Sequence, residues 1–168
     1  LGTGVGGGLI VDRHIIRGRN RIAGEWGHVP LPWARADEQP GAPCYCGRRG
    51  CVETYLSGPG LSRNFHERTG TWQTPEAIVA SARSGDSLAA ASLTSYVDRL
   101  ARGLAAVIDV LDPDVVVLGG GLSNIAELYR DVPPLLSTYA FSDGVDTPIV
   151  PAKHGDSSGV RGAAWLWS

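Results

Sequence analysis

The residues best able to do chemistry lie between Cys44 and Glu53, a stretch that holds all three cysteines of the chain, Cys44, Cys46 and Cys51. Three thiolates and one further donor make the tetrahedral ligand set of a structural zinc site. Cys44 and Cys46 share one short turn, Cys51 returns soon after, and Gly47 and Gly50 let that turn close. His14, His28, His66 and His154 compete for the fourth position. His28 is preferred because it follows glycine in the irregular segment nearest the cysteines, whereas His66 falls on a helical stretch. Four protein ligands leave no open coordination position, so the zinc is expected to pin a loop and not to act as a Lewis acid. Glu25 and Glu53 flank this set and would offer carboxylate oxygens to a small hydroxylated substrate.

Glycine supplies the second group of candidates. The 23 glycines cluster in Gly2-Thr3-Gly4-Val5-Gly6-Gly7-Gly8 and in Gly119-Gly120-Gly121. Clustered glycine lets backbone approach a ligand closely. The first run suits either a tight turn or a cradle of amides for phosphate. It lacks the Gly-Lys-Ser/Thr ending of a P-loop and the strand–turn–helix context of a dinucleotide fingerprint. The second run follows an apolar stretch, Val115 to Leu118, and precedes a helix expected from about Ser123 to Leu136. Strand, glycine turn and helix together offer amides to a ligand.

The elements that must position these groups read as follows. Leu1 to Gly8 is the end of a strand and a turn. Leu9 to Val11 and Ile15 to Gly18 form a hairpin around Asp12-Arg13-His14. Arg19 to Pro43 is irregular. Val52 to Arg68 is mostly helical, with a break near Gly58-Pro59-Gly60. Thr74-Pro75-Glu76 starts a helix with an N-cap and a first-turn proline, and that helix ends near Ser84-Gly85. A long helix starts at Asp86-Ser87, carries Val97, Leu100, Leu104, Val107, Ile108 and Leu111 as its core stripe, and stops at Asp112-Pro113. Val115 to Leu118 has the look of a buried parallel strand. Thr147 to Ala152 is another strand, and a last helix ends at Trp165-Leu166-Trp167. The alternation predicts an α/β architecture.

The totals exclude several classes. The chain has 168 residues, 43% hydrophobic and 19% charged, with a net charge of -2. That is enough for one domain with a core, and it carries no basic footprint for nucleic acid. No apolar run approaches the ~20 residues of a membrane span. An odd number of closely spaced cysteines does not suit a disulfide framework, so reduced thiols holding metal in the cytoplasm are expected. The absence of methionine, and an opening directly on the glycine run, predict the carboxyl-terminal portion of a longer protein.

Taken together, Glu25-Trp26-Gly27-His28 and Cys44-x-Cys46-Gly47-x-x-Gly50-Cys51-x-Glu53 resemble the signature of the ROK family (repressors, open reading frames, kinases). Gly2 to Gly8 resembles the family's second phosphate motif, and Asp112-Pro113-Asp114 through Gly121 its adenosine motif. The resemblance covers the whole chain. Gly24 to Trp33, Pro43 to Cys46 and Lys153 to Trp167 are most similar to bacterial fructokinases that also accept mannose.

The resemblance implies an α/β lobe of the actin-like ATPase (ribonuclease H-like) fold, with a mixed sheet, flanking helices and a zinc-pinned loop. It implies ATP-dependent phosphorylation of a hexose, most readily D-fructose to fructose 6-phosphate, with MgATP and structural zinc as cofactors. By the same resemblance Glu25, His28 and Glu53 bind the sugar, and His28, Cys44, Cys46 and Cys51 hold zinc. Gly2, Thr3 and Gly4 contact nucleotide phosphates, and Gly119, Gly120 and Gly121 the adenosine. A homodimer is the implied assembly, with no nucleic-acid or membrane partner.

One departure is large. The family's first phosphate motif, Asp-x-Gly-Gly-Thr, and its catalytic Asp in an Asn-Asp-Ala-Asn-like segment do not occur in this sequence. Asp109, Asp112 and Asp114 are poor substitutes, being a helix residue and two helix-stop and strand-start residues. Residues 1–168 are therefore read as the C-terminal lobe, inactive alone because the base lies upstream. The competing readings are the sugar-sensing effector domain of a ROK-type repressor and a zinc-stabilised interaction module without a small ligand.

Overall fold

The computed structural model describes residues 1–164; Trp165 and Trp167, expected at the end of the last helix, lie outside the described residues. In chain order the elements begin with strands β1 (Ile10–Val11) and β2 (His14–Ile15) and helices α1 (Val52–Leu56), α2 (Gly58–Thr69), α3 (Pro75–Arg83) and α4 (Ser87–Leu111). Strand β3 (Val116–Leu118), helices α5 (Glu127–Asp131) and α6 (Pro133–Tyr139), strand β4 (Ile149–Pro151) and helix α7 (Ser158–Ala164) follow. The α/β class holds. The strands pair as two separate ladders, β1 antiparallel to β2 and β3 parallel to β4.

Helix α4 is the centre of the core. Tyr96, Val97, Leu100, Leu104 and Ile108 are buried along it, and the Tyr96 hydroxyl donates to the Leu56 carbonyl at 2.8 Å, tying α4 to the end of α1. The expected stripe ends early, since Leu111 is exposed. Asp86 caps the helix by accepting from the amides of Leu88 and Ala89, and Asp112 closes it in the left-handed region with φ 42°. Thr74 caps α3 through the Ala77 amide, with Pro75 in the first turn. The break expected near Gly58 falls at Ser57, whose hydroxyl accepts from the Gly60 amide and restarts the chain as α2.

Three expectations are corrected. Leu1 to Gly8 forms no strand among the described residues. The backbone bonds recorded for it go to separate partners, Leu1 to Gly119 and Leu122, Gly2 to Gly58, and Val5 to Glu53, and not to one neighbouring strand. The helix from Ser123 to Leu136 is instead a 3₁₀ turn over Gly121–Asn124 followed by α5 and α6, because Pro133 and Pro134 donate no amide to an earlier turn and start a helix of their own. Strand β3 is buried on one face only, with Leu118 inside and Val117 exposed.

Candidate functional site: a cysteine–histidine centre and an adjoining cleft

The segment from Arg19 to Pro43 holds no strand or α-helix, only 3₁₀ turns at Trp26–His28 and Ala36–Glu38. It is nevertheless fixed. Leu31 donates to the Gly50 carbonyl at 2.9 Å and Val52 to the Val29 carbonyl at 2.9 Å, so the chain after His28 runs antiparallel to the chain around Cys51. Gly27 is what permits this. A Cβ there would drive into the Val5 carbonyl, so only glycine lets the glycine run pack beneath His28. The cysteine turn is closed by Cys44 donating to the Arg48 carbonyl at 2.8 Å and Gly47 to the Cys44 carbonyl at 3.0 Å.

These contacts bring His28, Cys44, Cys46 and Cys51 together, their ligand atoms all within 4.8 Å of one another. Cys46 Sγ and Cys51 Sγ are 3.7 Å apart, and Cys44 Sγ lies 3.5 Å from His28 Nδ1. A tetrahedral zinc ion with bonds of ~2.3 Å to sulfur and ~2.0 Å to nitrogen has edges of roughly 3.8 and 3.5 Å, so the donor set fits that ion. With Nδ1 turned to the thiols, His28 Nε2 lies 2.8 Å from the Tyr45 hydroxyl, the partner that orients a ligating imidazole. Burial pushes the Cys51 thiol up to about 12, whereas a hydrogen bond from the Arg48 backbone lowers Cys46 to about 7. Of the competing histidines, His14 bonds the Asp12 carbonyl, His66 stacks on Trp72 and His154 is exposed; none joins the cluster.

Glu53 stands beside this centre. Its Oε2 accepts from the Val5 amide at 2.8 Å, tying the first turn of α1 to the glycine run. Glu25 is exposed. Partial desolvation raises the Tyr45 phenol, and the charges of Glu53 and Glu25 act in the same direction.

The two glycine runs meet. Leu1 donates to the Gly119 carbonyl at 2.8 Å, and Leu122 donates to the Leu1 carbonyl at 3.1 Å. Gly120, at φ 84°, has no room for a Cβ against that carbonyl. Gly2, Thr3 and Gly121 line a cleft of about 650 Å³ with Gly58, Trp72 and Gln73, a size in the range of small-ligand sites. Gly4, Gly119 and Gly120 lie outside its lining: Gly119 and Gly120 pin Leu1, and Gly4 packs against Glu53.

Sequence reasoning missed two groups. Trp72 and Gln73 lie in the linker between α2 and α3, and nothing in a Trp-Gln pair signals a pocket. Glu38 is buried and accepts hydrogen bonds from Arg99 at 2.7 Å and from Arg102 at 2.7 and 2.8 Å, with Asp98 3.0 Å from Arg102. Burial alone would raise the Glu38 carboxyl, but Arg102, the Arg35 amide and Arg99 hold it down at about 2. This network anchors the loop ahead of the cysteines to α4. A helical Arg pair three residues apart gives no hint in sequence that it is buried.

Comparison with known proteins gives this geometry a family. A sequence model described as the ROK family matches residues 1–168. The chain belongs to the ROK family. It is 41% identical over 170 residues to the N-acetyl-D-glucosamine kinase of Vibrio atlanticus (strain LGP32), covering 99% of this chain and 56% of that protein. Among solved structures it resembles a ROK family glucokinase from Streptomyces griseus in complex with glucose and AMPPNP, at a TM-score of 0.85 and 29% identity, over 99% of this chain and 58% of the other. It also resembles a ROK family transcriptional regulator, a homologue of the E. coli MLC protein, at a TM-score of 0.72 and 25% identity, over 90% of this chain and 40% of the other. The fold is thus an α/β lobe of the actin-like sugar kinases. The chain spans little more than half the length of the curated relatives it matches. No helix among the described residues is long and apolar enough to cross a membrane.

Proposed function

We propose that this chain is the C-terminal lobe of an ATP-dependent sugar kinase, carrying a structural zinc site, much of the sugar site and part of the MgATP site. The observation that carries the reading is the Glu53–Val5 hydrogen bond. It joins the carboxylate beside the cysteine–histidine centre to the same glycine run whose Gly2 and Thr3 line the cleft. A sugar hydroxyl held at Glu53 and phosphates held in the cleft then lie at the two ends of one fixed loop. Phosphoryl transfer asks mainly for such positioning and for charge neutralisation, which MgATP supplies through its metal. The zinc would be held by His28, Cys44, Cys46 and Cys51, and its part is to fix the loop.

The substrate is proposed to be N-acetyl-D-glucosamine or glucose. Relatives at 41% and 42% identity bear the first name and the most similar solved structure reported above holds the second sugar. Fructose, expected from neighbouring sequence, draws no support from these names. Asp109 and Asp112, near the strand, are engaged elsewhere and are not proposed as the base for the attacking hydroxyl. Asp109 accepts from the Phe141 amide at 2.8 Å, and Asp112 is the left-handed cap of α4. The isolated chain is therefore proposed to bind without turnover. A homodimer in the cytoplasm completes the proposal.

The test is ADP release with MgATP and N-acetyl-D-glucosamine, glucose, mannose or fructose, paired with melting of this chain in each sugar. Sugar-dependent stabilisation of the chain, with turnover only when an upstream lobe is present, is the expected result. The second reading, a sugar-sensing domain, rests on the likeness to the transcriptional regulator. Stabilisation by sugar with no response to ATP would favour it.

A further inference from the structure

The cleft holds two features that the glycine backbone does not explain. Trp72 is 62% exposed although it is the largest apolar side chain in its linker. One face of its indole is packed on His66, with ring centroids 4.3 Å apart and planes 11° from parallel. Trp72 also lines the cleft, together with Thr3 and Gly121. A half-buried histidine stacked on an exposed indole makes a stiff flat platform, since neither ring turns without losing the stack. Next to it, Gln73 lines the same cleft, and its Oε1 is shielded from water without a hydrogen-bond partner. A shielded, unpaired acceptor calls for an explanation, and a small rotation of the carboxamide would present it to a bound molecule.

A flat ring system that stacks on an indole while donating through an exocyclic amine answers both. Adenine does so: its face stacks on aromatic side chains, and its N6 amine with the adjacent ring nitrogen pairs with a glutamine carboxamide. We propose that Trp72, held by His66, is the stacking platform for the nucleotide base, and that Gln73 selects adenine over 6-oxopurines. This rests on the nucleotide reading of the cleft and adds to it the residues that choose the base. The glycine run then serves the phosphates, which lie away from the ring.

The test measures binding of ATP, ITP and inorganic tripolyphosphate to the full chain by calorimetry. ITP differs from ATP in the 6-oxo group that replaces the amine and in the proton that N1 then carries, so donor and acceptor are exchanged along that edge. Trp72→Ala is expected to weaken ATP and ITP alike by roughly tenfold, with tripolyphosphate unchanged, and Trp72→Phe to restore most of the loss. Because the indole is exposed, the melting temperature serves as the control for folding. Gln73→Leu is expected to reduce an ATP-over-ITP preference of about tenfold to about unity. ATP bound equally well by wild type and Trp72→Ala overturns the platform while leaving a nucleotide site. An undiminished ATP preference in Gln73→Leu overturns the selection. No nucleotide bound by the wild type overturns both this inference and the nucleotide reading beneath it.

Discussion

Glu53 Oε2 accepts a hydrogen bond from the Val5 amide at 2.8 Å. This contact is what makes the glycine run and the cysteine turn one unit. On the proposed function it also divides the carboxylate's work, with one oxygen holding backbone and the other offered to a sugar hydroxyl. Glu53→Gln is expected to keep the Val5 contact, because an amide oxygen still accepts, and to lose sugar affinity. Glu53→Ala loses both and should cost about 2 kcal/mol of stability. Denaturant unfolding alongside sugar-dependent melting separates the two effects; equal stability losses in both variants would contradict the division.

The cysteine–histidine centre predicts metal-coupled folding. Cys51→Ser and Cys46→Ser are each expected to release zinc and to lower stability by several kcal/mol. Metal analysis of the purified chain and its melting with and without a chelator provide the check. A chain free of zinc that melts identically in chelator would refute the site.

Glu38 predicts an acid limit. Its folded carboxyl stands at about 2 against an ordinary 4.5. The stability it contributes is complete above about 4.5 and is lost as the pH falls from there towards 2, when the carboxyl protonates and Arg99 and Arg102 lose their partner. Glu38→Gln should cost 3–5 kcal/mol, roughly, at neutral pH by leaving buried guanidinium charge unpaired. It should also flatten the acid arm of the stability curve. An unaltered acid arm in that variant would assign the effect elsewhere.

Gly27 predicts a steric failure. Gly27→Ala sets a Cβ against the Val5 carbonyl, and relief requires the glycine run or His28 to move. A loss of about 2 kcal/mol or more is expected, together with weaker zinc retention. Gly119→Ala, where a Cβ meets open space, is the control and should be nearly neutral.

Much of this was legible in residue order. The helix starts at Thr74-Pro75 and Asp86-Ser87 are local, since a cap side chain bonds amides two or three residues away, and the structure places them where the sequence did. The ligand set was legible because thiol spacing within one turn is a local property, and only the choice of histidine needed the fold. The strand end expected at the start of Leu1 to Gly8 is not formed, because the partners of this stretch, Gly119, Glu53 and Gly58, are distant in sequence and make no ladder. Extended apolar and glycine residues look alike whether or not a neighbouring strand is present.

The sequence by itself determined the three clustered cysteines, the helix starts at Thr74-Pro75 and Asp86-Ser87 and the family signature, because each depends on residue type and short spacing. Only the tertiary structure decided that Gly2, Thr3 and Gly121 share one cleft with Trp72 and Gln73, that Gly119 and Gly120 lie against Leu1 outside that cleft, and that Glu38 is buried between two arginines. Those outcomes depend on which distant surfaces exclude water together, and no local pattern records that.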